Sequence, residues 1–240
     1  MIDLHCHLLP GLDDGARDTQ TSVAMAKDLA QLGYRAVCCT PHQPWANTVH
    51  RSEHLNDSRA QLAAALAQAG IALELYPGAE HHIIELPERL AEGGLIPYPR
   101  QDCFLMEFSL RGFPIRLDDL LFRIQVKGLR AAVAHVERYP EVQKDVRTLE
   151  RLRDKGCYLL INLASLVGSW DRPAQRAARA VVEAGLLDAA CTDLHDPRDA
   201  EQVSAGLAEL ERLAGPEAVE RWTVHGPARI AGVALEAAPA

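Results

Sequence analysis

Short apolar runs rich in β-branched, cysteine and alanine residues alternate along the chain with longer Ala- and Leu-rich amphipathic segments. The short runs predict seven strands, at residues 1–5, 35–40, 72–77, 103–108, 130–135, 157–162 and 187–192. The amphipathic segments predict helices at residues 19–32, 51–69, 116–126, 146–155, 173–184 and 201–213. At the start of the first helix, Asp18 or Thr19 is placed to act as the N-cap.

Glycine follows the last predicted turn of several helices, at Gly33, Gly70, Gly128, Gly156 and Gly185. Glycine accepts the left-handed conformation that ends a helix, so these positions mark helix ends. A strand followed by a helix, repeated along the whole chain, implies parallel strands joined by right-handed crossovers. An open doubly wound sheet and a closed barrel both fit this order. Seven repeats without a G-x-G-x-x-G motif favour the α/β barrel.

No low-complexity linker divides the 240 residues, so we expect one domain over residues 1–240 with a frayed tail at 236–240. Two stretches, 41–53 and 109–114, have the composition of long functional loops. The chain has no apolar run of transmembrane length and its start lacks the pattern of a signal peptide. We therefore expect a cytoplasmic protein that does not insert into membranes.

The formal net charge is −8 and basic residues are not clustered, which argues against nucleic acid as a partner. The six cysteines form no C-x-x-C pair and lie mostly in apolar runs. Reduced, buried thiols account for that pattern better than disulfides or a zinc–thiolate site.

Histidine and carboxylate residues cluster where the predicted strands end. They are His5, His7, His42, Glu80, Glu107, His135, Asp193 and His195. In a parallel barrel the carboxyl ends of all strands open onto one rim, so residues far apart in sequence converge there. His5 and His7 are two positions apart and point the same way along a strand, whereas Cys6 points towards the helices.

So many imidazole and carboxylate groups at one rim would be costly without a compensating charge. Bound cations remove that cost, and nitrogen and oxygen ligands without thiolates suit Mn²⁺, Fe²⁺ or Zn²⁺. The ligands exceed the needs of one ion, so two or three ions are implied. Such clusters produce a hydroxide nucleophile at neutral pH and hold the oxygens of a phosphoryl group. Arg138, three residues after His135, is placed to bind phosphate.

The segment His5-Cys6-His7 also fits a thiolate nucleophile activated by histidine. A cysteine-dependent phosphatase carries an arginine six residues after the nucleophile. The residues six positions after the six cysteines are Leu12, Pro44, Trp45, Ser109, Leu163 and Pro197. None is arginine, so we predict that the histidines are the functional pair and that Cys6 packs in the core.

The segments HCHLLPGLDDG, TPH, PGAE, MEF, HVERY and TDLH together resemble the bacterial PHP-superfamily tyrosine phosphatases of capsule and exopolysaccharide synthesis (the CpsB-like group). The similarity runs from Met1 to about His225, and the opening H-x-H-x-x-P-G-x-D-D-G is much more specific to that group than H-x-H alone. The resemblance implies a distorted (β/α)7 barrel of the PHP fold with three divalent ions at the carboxyl ends of the strands. The ions are usually manganese.

Site roles follow from the resemblance by matched motif. His5, His7 and Asp193 would hold one ion, with Glu80 bridging to a second that Glu107 and His135 complete. Asp14, His42 and His195 would hold the third. The catalytic residues would be Asp14, His42 and the phosphate-binding Arg138. The implied reaction is attack by a metal-held hydroxide on phosphotyrosine in the tail of a partner tyrosine kinase.

Several positions depart from the family pattern, with Val136 in place of proline in HPERY, Gln43 after TPH, and Leu194 and Asp196 around His195. Arg198 is the candidate for a second phosphate-binding arginine, although its spacing matches poorly. His81 and His82 replace apolar residues and are expected as an exposed loop pair.

Two alternatives stay open. One is a PHP phosphoesterase acting on a small molecule such as histidinol phosphate, and the other is a non-catalytic metal-binding subunit. The second predicts missing ligands, whereas every expected ligand position here carries a suitable residue.

Overall fold

The computed structural model describes residues 1–43 and 52–234. The predicted tail at 236–240 and most of the predicted loop at 41–53 lie outside these residues. Eight strands are formed in the described ranges: β1 Ile2–Cys6, β2 Ala36–Cys39, β3 Glu74–Tyr76, β4 Glu80–His82, β5 Cys103–Glu107, β6 Arg130–Val133, β7 Tyr158–Asn162 and β8 Ala189–Cys191.

All strand pairs are parallel, in a sheet of order β1–β2–β3 and a sheet of order β4–β5–β6–β7–β8. Two isolated bridges join these sheets, one between His42 and Glu80 and the other between Cys6 and Leu194. The third predicted strand is thus split into β3 and β4 by residues 77–79. The result is a closed, distorted barrel with seven strand positions, and the predicted fold is confirmed.

Seven helices lie between the strands in the described residues: α1 Thr19–Gln31, α2 Ser52–Gln68, α3 Leu86–Glu92, α4 Leu117–Val126, α5 Pro140–Lys144, α6 Thr148–Asp154 and α7 Arg172–Glu183. Three more follow β8: α8 Ala200–Ala214, α9 Pro216–Glu220 and α10 Gly226–Ala231. Asp18 caps α1 by accepting a hydrogen bond from the Thr21 amide at 2.8 Å. The short helices α3, α5, α9 and α10 were not predicted. In the described residues no helix has the length and apolar character needed to cross a membrane.

The core has two parts. The larger part lies between the strands and the surrounding helices, and the smaller part consists mainly of strand residues that face the inside of the barrel. All six cysteines are buried and unpaired, as predicted. The pKa of each thiol is raised by burial, so none is poised to form a thiolate.

The register of β1 shifts between Asp3 and Cys6. Asp3 pairs with Val37 and Cys6 with Cys39, so β1 uses one residue more than β2 over the same distance. A bulge of this kind redirects the side chains that follow it. Leu4 packs inside the barrel, whereas Cys6 joins the outer core against the helices. The bulge therefore turns His5 and His7 towards the rim.

Candidate metal centre

Nine imidazole and carboxylate side chains meet at the carboxyl ends of the strands. Three groups among them bring their ligand atoms within 4.8 Å of one another: His5, His7 and Asp193; His42, Glu80 and Glu107; and His7, Asp14, His42 and His195. His135 is the ninth predicted ligand, and its Nε2 lies 3.1 Å from Glu80 Oε1. The structure thus brings together all nine predicted ligands, whose assignment to individual ions stays a prediction.

The first group is fully buried at the base of the rim. His5 Nε2 lies 3.1 Å from Asp193 Oδ1 and 3.1 Å from Glu80 Oε2. His7 Nε2 lies 3.3 Å from the same oxygen of Asp193 and 3.1 Å from His5 Nε2. About 3.0–3.4 Å is the separation expected between neighbouring ligands that each lie about 2.1 Å from one ion. These atoms therefore fit a divalent cation.

The second group is built around Glu80, which is buried on β4. His42 Nδ1 lies 3.1 Å from Glu80 Oε2 and 3.7 Å from Glu107 Oε1. His135 Nε2 lies 3.7 Å from Glu107 Oε2 and also contacts the other oxygen of Glu80. Glu80 thus touches imidazoles of two groups, as a bridging carboxylate would. The sequence predicted that His42 binds the third ion with Asp14 and His195. Its Nδ1 is nevertheless closer to Glu80, at 3.1 Å, than its Nε2 is to Asp14, at 3.6 Å.

The third group lies at the mouth of the barrel. Asp14 Oδ1 lies 3.4 Å from His195 Nε2 and 3.6 Å from His42 Nε2. The His195 ring stacks on His7 with 4.0 Å between ring centroids. Asp14 is 70% exposed, so this end of the cluster is open to solvent and to an incoming substrate.

The carboxylates are held in different charge states. Burial disfavours charge on Glu80, but contacts with His5 and His135 outweigh it and hold its pKa well below the usual value. Burial and the neighbouring Glu80 carboxylate raise the pKa of Glu107 to about 8. Two close carboxylates compete for ionisation in this way, and a divalent cation between them would remove the repulsion.

Two residues that the sequence analysis did not single out orient the ligands. Asp13 Oδ2 accepts hydrogen bonds from His7 Nδ1 at 2.7 Å and from the His42 amide at 2.8 Å. The proton on Nδ1 leaves the Nε2 lone pair of His7 free to face the cluster. Asn162 Nδ2 donates to Asp193 Oδ2 at 2.7 Å and fixes that carboxylate from the end of β7.

Backbone geometry also adapts to the site. In the described residues, positive φ outside glycine occurs at Gln101, His135 and Asp193. Two of these are candidate ligands, with φ of 34° at His135 and 51° at Asp193. Left-handed backbone in such residues is disfavoured and concentrates at functional sites.

Gly15 packs directly against His7. A Cβ atom at position 15 would overlap the carbonyl oxygen and the Cβ of His7. The glycine of the D-D-G segment is therefore required by close approach to a candidate ligand.

Arg138 lies beside the cluster, on the 3-10 helix Val136–Arg138 that follows β6. Its Nη1 is 3.8 Å from Asp193 Oδ2, and its guanidinium carbon is 3.9 Å from the centre of the Trp170 ring. Arg198, in contrast, is 87% exposed and pairs with Asp196 through Nε and Nη2 at 2.8 and 3.0 Å. The predicted role of Arg138 fits this placement, while the guanidinium of Arg198 is engaged by a neighbouring carboxylate.

Two further predictions concern side chains near the ligands. Cys6 lies in the outer core, and its buried Sγ is 3.8 Å from the Leu194 carbonyl oxygen, so its predicted packing role agrees with the structure. The expectation of an exposed loop pair at His81 and His82 is wrong, because both residues lie in β4, where His82 is partly buried and His81 fully buried. His81 Nε2 accepts a hydrogen bond from the Ile96 backbone N–H at 3.1 Å. Alternation along β4 places His81 opposite to Glu80.

Comparisons with known proteins place this chain among capsule-synthesis proteins. The family model for capsular polysaccharide synthesis, CpsB/CapC, matches residues 1–231. Tyrosine-protein phosphatase YwqE of Bacillus subtilis is 31% identical over 221 residues, covering 90% of this chain and 86% of the relative. Tyrosine-protein phosphatase CpsB of Streptococcus pneumoniae is 24% identical over 202 residues, covering 82% and 83%.

Solved structures agree. A crystal structure from work on YwqE and CpsB of these two organisms, described as metal-dependent tyrosine phosphatases, matches with a TM-score of 0.88 at 28% identity, covering 98% of this chain and 96% of that one. Histidinol phosphate phosphatase of Lactococcus lactis matches with a TM-score of 0.55 at 12% identity, covering 88% and 93%, which shows the fold alone. The chain belongs to the CpsB/CapC family of capsular polysaccharide synthesis.

Proposed function

We propose that this protein is a metal-dependent phosphatase that hydrolyses phosphotyrosine in a protein substrate. The observation that carries the proposal is the convergence of nine imidazole and carboxylate groups at one barrel rim, beside Arg138. Its relatives in the CpsB/CapC family include the tyrosine-protein phosphatases YwqE and CpsB. Both the cluster and the family therefore support this enzyme class.

The proposed cofactors are three divalent ions, Mn²⁺ first, with iron or zinc as alternatives. The proposed ligand sets are His5, His7 and Asp193; Glu80, Glu107 and His135; and Asp14, His42 and His195, with Glu80 bridging the first two. Ions bound there would lower the pKa of coordinated water and neutralise charge on the phosphoryl oxygens. Nitrogen and oxygen donors suit all three metals.

Other groups of this protein bind the phosphoryl group and orient the metal ligands. The guanidinium of Arg138 offers parallel N–H donors that match two phosphoryl oxygens. Asp13 keeps the proton of His7 on Nδ1, so Nε2 stays directed at the cluster. The backbone carbonyl of Asp193 accepts a hydrogen bond from His195 Nδ1 at 2.8 Å. This contact likewise keeps the proton of His195 on Nδ1 and leaves its Nε2 directed at the cluster. Hydrolysis then breaks the bond between phosphorus and the phenolic oxygen, releasing phosphate and tyrosine.

The open mouth of the site suits a protein segment as substrate. Asp14 and Arg138 lie on different strand-end loops, and Asp14 is largely exposed, so a tyrosine side chain can enter from solvent. A phenolate with a pKa of about 10 is also a better leaving group than a serine alkoxide. We propose the tail of a bacterial tyrosine kinase as the substrate, in the cytoplasm, and residues 1–240 as one catalytic domain.

The first experiment tests metal dependence and substrate class together. The purified protein is treated with EDTA and reloaded with Mn²⁺, Fe²⁺ or Zn²⁺. It is then assayed on a panel of phosphotyrosine peptides and on histidinol phosphate. We expect EDTA to abolish turnover, metal to restore it, and the peptides to be the better substrates. Turnover of histidinol phosphate without turnover of any phosphotyrosine peptide would support the small-molecule alternative instead.

The second experiment separates the metal route from the thiol route. His42→Ala or Asp193→Ala is expected to abolish nearly all phosphatase activity, because each removes a group at the centre of the cluster. Cys6→Ser is the matched control, since the Cys6 side chain lies in the outer core at the end of β1, between the candidate ligands His5 and His7 in sequence. Equal losses in Cys6→Ser and His42→Ala, under reducing and metal-replete conditions, would contradict the assignment.

A further inference from the structure

Trp170 is a large apolar side chain that is 48% exposed and packs against Arg138, which lies beside the candidate ligand Asp193. One face of its ring is covered by the Arg138 guanidinium, whose central carbon is 3.9 Å from the ring centre. The Arg138 side chain is only 18% exposed. An arginine held this close to an aromatic face makes a cation–π contact that strengthens as water is excluded.

The loops that carry the two side chains are tied together. The Glu137 carboxylate, next to Arg138, accepts hydrogen bonds from Ser165 Oγ at 2.6 Å and from the Asn162 backbone N–H at 3.2 Å. Asn162 is the last residue of β7, and Ser165 lies in the segment that leads from β7 to Trp170. Asp171, the residue after Trp170, caps α7 by accepting from the Ala174 amide at 2.7 Å. The ring is thus held between two anchored points.

The guanidinium of Arg138 has a competing partner within the site. Its Nη1 is 3.8 Å from Asp193 Oδ2, beyond hydrogen-bond distance but close enough for charge attraction. A free arginine side chain would turn towards this carboxylate and lose the donors that a phosphate needs. Stacking on Trp170 fixes the plane of the guanidinium and restrains this movement.

We propose that Trp170 is a positioning residue, which holds the Arg138 guanidinium in the orientation that binds the phosphoryl group. The inference rests on the proposed function, since it assigns Arg138 to the phosphate. Trp170 does not need to touch the reacting atoms for this role. Its loss should weaken phosphate binding and leave the metal centre intact.

The test uses inorganic phosphate as the probe, measured by calorimetry on the Mn²⁺-loaded protein. Trp170→Ala is expected to raise the dissociation constant for phosphate roughly 5- to 30-fold, the range of a partly buried cation–π contact. Trp170→Phe keeps an aromatic face and should recover most of the affinity. Phe122→Ala removes another exposed aromatic ring, on α4, and should leave phosphate binding unchanged. Metal content is measured for every variant.

A double-mutant cycle separates positioning from a general structural effect. If Trp170 acts through Arg138, then Trp170→Ala adds little to the loss already caused by Arg138→Ala. Additive losses, or a dissociation constant unchanged in Trp170→Ala, would overturn the proposal. Because binding of phosphate is measured directly, this result is independent of phosphotyrosine turnover. Failure of the wild-type protein to hydrolyse phosphotyrosine peptides would refute the proposed function alone.

Discussion

Replacing Asp13 with asparagine removes one charge beside the candidate metal centre and leaves every proposed ligand in place. The Asp13 carboxylate accepts three hydrogen bonds, from His7 Nδ1 at 2.7 Å, the His42 amide at 2.8 Å and the Gly15 amide at 3.0 Å. The contact with His7 holds the pKa of Asp13 at about 2 despite its burial. An asparagine side chain has a single acceptor oxygen, so it cannot satisfy this arrangement.

The size of the effect follows from these contacts. Oδ2 receives two of the hydrogen bonds and Oδ1 receives the third, so the best orientation of asparagine places its amide group against the Gly15 N–H. That orientation loses one hydrogen bond and the charge that supports His7, a cost of about 1–3 kcal/mol. Residues that orient metal-bound histidines typically contribute 10–100-fold in metal affinity, or about 1.4–2.7 kcal/mol. This range agrees with the cost expected from the lost hydrogen bond and charge.

Metal affinity is measured by titrating Mn²⁺ into EDTA-treated, dialysed protein, with phosphatase activity followed in parallel. We expect Asp13→Asn to bind metal about 10–100-fold more weakly and to recover activity at high metal concentration. Asp18→Asn is the matched control, because asparagine caps a helix about as well as aspartate and the Asp18 side chain bonds to Thr21 and Arg17 on the outer surface. Wild-type affinity in Asp13→Asn would refute the argument that His7 depends on this carboxylate.

Two other substitutions test single features of the site. Gly15→Ala should lower metal affinity and should lower the free energy of unfolding by about 1–3 kcal/mol, because the new Cβ overlaps His7. An unchanged melting temperature in calorimetry would contradict this expectation and show that the loop adjusts freely. Burial raises the pKa of Glu137 from 4.5 to about 7, so the folded protein binds more protons than the unfolded chain between these values and loses stability as pH rises. Glu137→Gln should lack this loss. Measured in EDTA, its free energy of unfolding relative to wild type should rise by up to about 3 kcal/mol from pH 4 to pH 8. A difference that does not change with pH would contradict the raised pKa of Glu137.

The fold was predictable because both of its signals are local. Apolar runs of strand length alternate with amphipathic helices, and glycines end the helices with positive φ, as at Gly33 and Gly156. Ligand-type side chains at the strand ends then had to converge, since a parallel barrel places those ends on one rim. That reasoning required no knowledge of loop conformation, and the eight residues it selected do lie together. Asp14, which lies beside them, was predicted only from the family resemblance.

Features that depend on contacts between distant segments were not predictable. Regular alternation from Ile2 would place His5 opposite to Leu4, and only the bulge in β1 lets Leu4 pack inside while His5 reaches the cluster. The approach of Trp170 to Arg138 depends on how two loops meet, and no local pattern encodes it. The burial of His81 follows from the pairing of β4 with β5. β4 has only three residues, which are too few to show the alternation of a strand in the sequence.

The D-D-G segment shows why a motif specifies a site better than its separate residues do. Asp13 turns inwards and orients His7, whereas Asp14 turns outwards to face His42 and His195 at the mouth. Gly15 allows both, because any larger residue would push the loop away from His7. Exchanging the roles of the two aspartates would need a different path for the loop. The order of the three residues therefore follows from the packing of one loop against one strand end, and this explains why H-x-H alone does not define such a centre.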